Sequence, residues 1–216
     1  FLKEAVESIL HQTLQPSEVV IVEDGPLTPE LYQVLEELEA QSSIPIKRCP
    51  LEQNCGLGLA LKYGVTQCQY DVIARMDTDD IAVEDRFEQQ FELMEKENVD
   101  LLGGHIAEFI DQPDEIVSYR RVPTKHEDII AYQRMRSAFN HMTVMFKKEM
   151  VLKAGNYEDG LYMEDDLLWL NMISAGARTG NVDQILCKVR VGAGMFERRG
   201  GLRYLKLYRQ ARKRMY

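Results

Sequence analysis

Two short runs of strand character each stop abruptly in acid. Val19-Val-Ile-Val22 ends in Glu23-Asp24-Gly25-Pro26, and Val72-Ile-Ala-Arg-Met76 ends in Asp77-Thr78-Asp79-Asp80. Strands without polar alternation are covered on both faces, the condition of inner strands in an α/β sheet. Around them the period changes to that of a helix. Phe1, Leu2, Ala5, Val6, Ile9 and Leu10 recur on one helical face. A second helix is predicted over about 29–40, with Pro29 at an early position where its missing N–H costs little. A third follows the glycine-containing loop that opens at Asn54, and a fourth covers 84–98. Further strands are predicted over 44–48 and, as one or two segments, over 99–110. This alternation implies an α/β fold with a mainly parallel, doubly wound sheet and helices on both faces. Ligands bind such sheets beyond the carboxyl ends of the strands, which is where both acidic stops lie.

The second half mixes its elements. Thr124-Lys-His-Glu127 has the form of a capping box and predicts a helix start. Residues 141–146 alternate as a strand does, 164–175 are helical, 182–189 form a strand, and 201 to the end is a basic helix. At 216 residues the chain suits one large domain with a substantial core.

Carboxylates packed at one strand end repel one another unless a cation or positive ligand neutralises them. Hard oxygen ligands suit Mg²⁺ or Mn²⁺, which commonly share their coordination with a substrate diphosphate. The alternative is an acidic turn in which Asp79 or Asp80 caps the next helix. From the carboxylates alone the two readings stand level. Asp24 beside Gly25 either accepts a hydrogen bond from a ligand or closes an Asx turn before Pro26. Gly56 and Gly58 lack the Cβ that would keep a phosphate or ribose away, and ordinary loop geometry explains them equally. Glu164-Asp165-Asp166 opens an amphipathic helix, where the macrodipole favours acids in any case. His141 beside an apolar stretch reads first as a structural histidine and second as a substrate contact. Arg190, Arg198 and Arg199 lie in a glycine-rich stretch that is either a basic lid over an anion or a solvated loop.

Taken in order, seven segments resemble the family 2 glycosyltransferases. They are Glu4–Thr13, Val20-Ile-Val-Glu-Asp-Gly25, Asn54-Cys-Gly-Leu-Gly-Leu-Ala60, Ala74-Arg-Met-Asp-Thr-Asp-Asp80, Asn140–Phe146, Glu164-Asp165 with Trp169, and Arg190-Val-Gly-Ala-Gly-Met195 with Arg198-Arg199-Gly200. The resemblance covers nearly the whole chain and leans towards bacterial exopolysaccharide enzymes of the amylovoran-biosynthesis type. It implies a GT-A fold, a nucleoside diphosphate sugar donor, a Mn²⁺ or Mg²⁺ cofactor, and inversion at the anomeric carbon. Carried over by residue, Asp24 bonds the nucleotide base and Gly56 and Gly58 approach the donor. Asp79 binds the metal directly, and Asp77 contacts ribose or metal. Asp165 is the general base, while Arg198 and Arg199 cover the diphosphate. Lys62 takes the place of a basic residue found in many relatives. Where the family usually reads His-Pro-Thr, this chain has His141-Met142-Thr143. Family members also carry a strand ahead of the first helix that contributes to the nucleotide pocket; it is absent here, so an incomplete donor side is expected. On this reading 1–110 is the donor half of a single GT-A domain, 111–200 the acceptor and catalytic half, and 201–216 a basic C-terminal helix.

The net charge is −9, yet residues 196–216 hold eight lysines and arginines against one acid, Glu197. An acidic body argues against nucleic-acid binding. The basic tail is left to meet an anionic membrane surface, pack on the body or self-associate. No apolar run approaches the roughly 18 residues needed to span a bilayer, and no secretory signal opens the sequence. A cytoplasmic location is expected, with peripheral contact at the inner membrane face. The expected partners are a nucleoside diphosphate sugar, foremost a UDP-sugar, and a glycan, lipid-linked or protein-linked saccharide acceptor; a homo-oligomer is a further arrangement. Cys49, Cys55, Cys68 and Cys187 lack zinc-site spacing and read as reduced thiols. Two other classes compete: a sugar nucleotidyltransferase, which also pairs acids with Mg²⁺, and a catalytically incomplete glycosyltransferase-like interaction domain.

Overall fold

The computed structural model describes residues 1–159 and 163–192. Helix α1 (Leu2–Leu10) buries Ala5, Val6 and Ile9, the face its spacing predicts. Strand β1 (Val19–Glu23) follows, then α2 (Pro29–Gln41), whose first turn is capped by the Thr28 hydroxyl accepting from the Leu31 N–H. Strand β2 (Ile46–Pro50) pairs in parallel with β1. Helix α3 (Leu57–Gln67) leads to β3 (Val72–Ala74), the two-residue β4 (Ile81–Ala82) and α4 (Arg86–Glu97), which ends on Asn98 in the left-handed conformation. Next come the buried β5 (Leu101–Phe109), β6 (Ile116–Arg120) and α5 (His126–Gln133). A 3₁₀ turn at His141–Thr143 precedes β7 (Met145–Lys147), α6 (Lys148–Lys153), α7 (Glu164–Ser174) and β8 (Thr179–Arg190).

The α/β class is as expected, whereas strand pairing is mixed rather than mainly parallel. Among the described strands, β1–β2 and β5–β8 pair in parallel; β3–β7, β5–β7, β5–β6 and β4–β8 are antiparallel. The physical reason lies in the second half, where β7 enters from the 3₁₀ turn and inserts antiparallel between β3 and β5. Local details shift too. Lys125, not Thr124, stands at the N-cap of α5, and no side-chain cap bond forms there. The strand expected over 141–146 begins only at Met145, and β6 and α6 were not predicted. The expected basic helix from residue 201 and Arg198 and Arg199 lie outside the described residues.

One core cluster gathers Trp169, Tyr157, Phe139, Phe146 and Leu168, and a second joins Ile9, Phe87, Met94, Leu102 and Leu186. Between the two sheets runs a cavity of about 770 Å³. Val19–Val22 of β1 and Val72–Ala74 of β3 form facing walls, with Ala5 and Ile9 of α1 also lining it. Among the described residues neither facing edge is paired: β1 bonds β2, and β3 bonds β7. The apolar residues of both runs are therefore only half-buried, although their composition suits cover on both faces.

Candidate active site

Asp24 lies just past β1, and both its oxygens are used. Oδ1 accepts from the Cys55 N–H at 2.6 Å and Oδ2 from the Gly56 N–H at 3.0 Å. The carboxylate thus ties the end of β1 to the loop that starts α3, instead of closing an Asx turn onto Pro26. Close approach requires glycine at position 25, where φ is +94° and a Cβ would meet the Asn54 nitrogen at 2.7 Å. Gly56 has φ +86° at the N-cap of α3. Gly58 serves packing: a Cβ there would lie 2.2 Å from the Glu158 carbonyl oxygen and 3.1 Å from Cβ of Glu164. The starts of α3 and α7 therefore abut, which carries Asp165 towards the Asp24 loop. Lys62 is exposed.

At the end of β3, Arg75 grips Asp77. Nη1 donates to Oδ2 at 2.7 Å and Nη2 to Oδ1 at 2.5 Å. Burial works against the Arg75 charge, but Asp77, the Tyr157 oxygen and Asp165 outweigh it and hold the guanidinium above its ordinary value. Asp24, Arg75, Asp77 and Tyr157 all line the cavity between the sheets. Asp79 is exposed on the turn; partial desolvation and then the Asp77 charge raise its pKa. Asp80 is buried and accepts from the Arg190 N–H at 3.0 Å, and burial followed by Asp77 pushes its carboxyl up to about 7. It braces the turn and does not cap α4, which starts at Arg86 after Asp85.

No three His, Cys, Asp or Glu side chains among the described residues converge as a metal cage. The turn fits a divalent ion of another kind, one that keeps waters and takes its remaining ligands from phosphate oxygens. Asp79 offers an exposed hard oxygen, and Asp77 and Asp80 stand beside it in the same turn.

Helix α7 divides its acids by depth. Asp166 is buried, with Gln133 Nε2 donating to it at 2.6 Å, while Gln133 Oε1 accepts from the Ala138 N–H at 2.7 Å. Asp165 is half-exposed, accepts from the Asp166 N–H at 2.7 Å, and is near enough to shift Arg75 and Tyr157. His141 Nε2 and the Tyr157 hydroxyl are hydrogen-bonded at 3.0 Å, and the His141 ring meets Trp169 edge-on at 5.8 Å. Burial and then Arg75 hold its pKa well below the ordinary value. His141 is thus a neutral support behind Tyr157, which lines the cavity. Arg190 is no lid. Its guanidinium stacks over Phe1 at 4.0 Å and Phe109 at 4.6 Å and reaches Glu4 at 2.9 Å.

Sequence reasoning missed Arg75 and Tyr157. Arg75 had a signal, since a cation inside a strand run must find an acid when buried. Tyr157, which meets the site through a loop, had none.

The architecture is that of GT-A-type glycosyltransferases. S. aureus TarS 1–349 in complex with UDP-GlcNAc superposes with a TM-score of 0.73 at 16% identity, covering 98% of this chain and 61% of that one. The mannosyltransferase PcManGT from Pyrobaculum calidifontis, in complex with GDP-Man and Mn²⁺, gives 0.68 at 15% identity over 90% and 54%. The family model for glycosyl transferase family 2 matches residues 1–156, and the chain belongs to that family. It is 41% identical to the amylovoran biosynthesis glycosyltransferase AmsE of Erwinia amylovora, over 95% of this chain and 76% of that protein. It is 37% identical to a UDP-Gal:alpha-D-GlcNAc-diphosphoundecaprenol beta-1,3-galactosyltransferase of Escherichia coli, over 94% and 74%. An uncharacterized glycosyltransferase of Haemophilus influenzae is 44% identical over 95% and 76%. Among the described residues no helix is long and apolar enough to cross a membrane.

Proposed function

We propose that this glycosyltransferase inverts the anomeric centre as it moves a hexose from a UDP-sugar to a hydroxyl of a saccharide, foremost a lipid-linked one. The observation that carries the reading is the convergence at Arg75: its guanidinium holds Asp77 from the donor side and feels the charge of Asp165 from α7. The relative named for UDP-Gal and a diphosphoundecaprenol-linked acceptor supports both substrate classes. Asp24 and the glycine loop receive the nucleotide, and Asp77 aligns it. Asp79 would hold Mn²⁺ or Mg²⁺, which would supply Lewis-acid neutralisation of the departing diphosphate. Asp165 takes the acceptor hydroxyl's proton as that oxygen bonds to the anomeric carbon and the bond to UDP breaks on the opposite face. Arg198 and Arg199 cover the diphosphate, and the basic tail meets the membrane that carries the acceptor.

The apolar stretch of the cavity supports one more element. The edges of β1 and β3 that are unpaired among the described residues would suit an extended apolar strand such as the family carries ahead of its first helix. The test of the enzyme reading is a donor panel of UDP-, GDP- and dTDP-sugars with Mn²⁺, read by calorimetry and by release of nucleotide. Binding and turnover of a UDP-sugar are expected; no binding by any donor overturns the assignment.

A further inference from the structure

We propose that Arg75 is a positioning residue that reserves Asp77 for the sugar nucleotide and leaves the divalent cation to Asp79. The inference rests on the function proposed above and assigns a cause to the division of work between two acids of one turn.

Three features carry it. First, the fork is two-pronged, with one Nη on each Asp77 oxygen at 2.7 and 2.5 Å. A guanidinium so placed takes the in-plane edge of the carboxylate, the edge that chelates an ion. Second, Arg75 is fixed. Its side chain is 6% exposed, its N–H donates to the Val144 carbonyl at 2.9 Å, and its own carbonyl accepts from Arg86 Nη2 at 2.7 Å. Among the described residues the Arg75 Nε has no hydrogen-bond partner, so the two Nη contacts set the orientation of the group. Third, the partner is open where Arg75 does not reach: the Asp77 side chain is 30% exposed and lines the cavity beside Asp24. Its remaining lone pairs are left for hydroxyl donors of a bound nucleotide. Asp79, two residues on and exposed, is left with the ion.

The prediction runs against ordinary loss of function. In Arg75→Met the freed Asp77 joins Asp79, and one cation disappears from the neighbourhood of the ion. Binding of Mn²⁺ alone, followed by electron paramagnetic resonance without nucleotide, should tighten about tenfold or more, because a second carboxylate adds ligand charge. UDP-sugar affinity measured with the same protein should fall about tenfold, since Asp77 is no longer held. Arg75→Lys keeps the charge but offers one point donor, and should fall between the two proteins on both readouts. Asp77→Asn provides an independent reading: it should bind Mn²⁺ within about twofold of the parent, whereas Asp79→Asn should lose it. Mn²⁺ affinity unchanged or weaker in Arg75→Met and Arg75→Lys, with donor still bound by the parent, overturns the role of Arg75 and leaves the enzyme reading intact. A parent that binds neither Mn²⁺ nor any UDP-sugar overturns both.

Discussion

The neighbouring acids Asp165 and Asp166 offer a sharp experiment, because sequence cannot rank them and the structure does. Asp166 accepts from Gln133 Nε2 at 2.6 Å in a buried setting, and the same Gln133 holds the Ala138 N–H at 2.7 Å. In Asp166→Asn the carboxylate becomes an amide. A charge-assisted bond is lost, and one NH₂ group is placed opposite another or must flip. Buried bonds to charged groups contribute about 1.5–3 kcal/mol, so a loss of about 2 kcal/mol is expected. For a chain of this size that lowers Tm by about 4–8 °C. Asp165→Asn should spare more stability, because the carboxylate is half-exposed and its bond from the Asp166 N–H is one that an amide oxygen also accepts. It removes the proposed proton acceptor, however, and general base loss costs about 10²–10⁴ in rate. The assay pairs thermal melting with transfer from the UDP-sugar picked out by the donor panel, scoring kcat separately from donor affinity. The expected pattern is crossed: Asp166→Asn melts early yet transfers when folded, while Asp165→Asn melts normally, binds donor and does not transfer. Full transfer by Asp165→Asn, or a catalytic loss confined to Asp166→Asn at unchanged Tm, would refute the reasoning.

Two further outcomes follow from the fold. His141 is neutral when folded, its pKa held well below 6.5 by burial and by Arg75, whereas the unfolded chain protonates it near its ordinary value. The unfolded state then binds more protons below that value, so stability present at neutral pH falls as pH drops, by up to about 1.4 kcal/mol per pH unit from this group. Urea unfolding at pH 7, 6 and 5 should show a flatter slope in His141→Gln, and equal slopes would dismiss the claim. For the cavity between β1 and β3, fusing an extended apolar strand ahead of Phe1 should abolish binding of a hydrophobic dye and raise Tm by about 4–8 °C, equivalent to about 2 kcal/mol. Unaltered dye binding would show that the slot takes no strand.

Much of the first hundred residues was legible in the sequence because its signals are local. The helical spacing of Ala5, Val6 and Ile9, the strand run before Glu23-Asp24 and the run before Asp77 each lie within a few residues; the first two elements formed where expected, and the third is strand only over Val72–Ala74. The later half was harder to read. Met145–Lys147 is too short to announce a strand, and its antiparallel place between β3 and β5 depends on partners far away in the chain. Thr124 matched a capping pattern, yet its carbonyl accepts from the Asn181 N–H, a tie to β8 that no local pattern contains.

The sequence by itself determined which acids stand at strand and helix ends, since a run of apolar residues must stop where the chain turns to water. Only the tertiary structure decided what each acid does. Gln133 takes Asp166 out of play from 33 positions upstream, the Arg190 backbone holds Asp80 from 110 positions downstream, and the loop at 55–56 closes on Asp24. Arg75 is near in sequence, but its fork on Asp77 exists because burial leaves the guanidinium no solvent to turn to. Hydrogen-bond capacity belongs to a residue type, whereas the partner that uses it is chosen by folding.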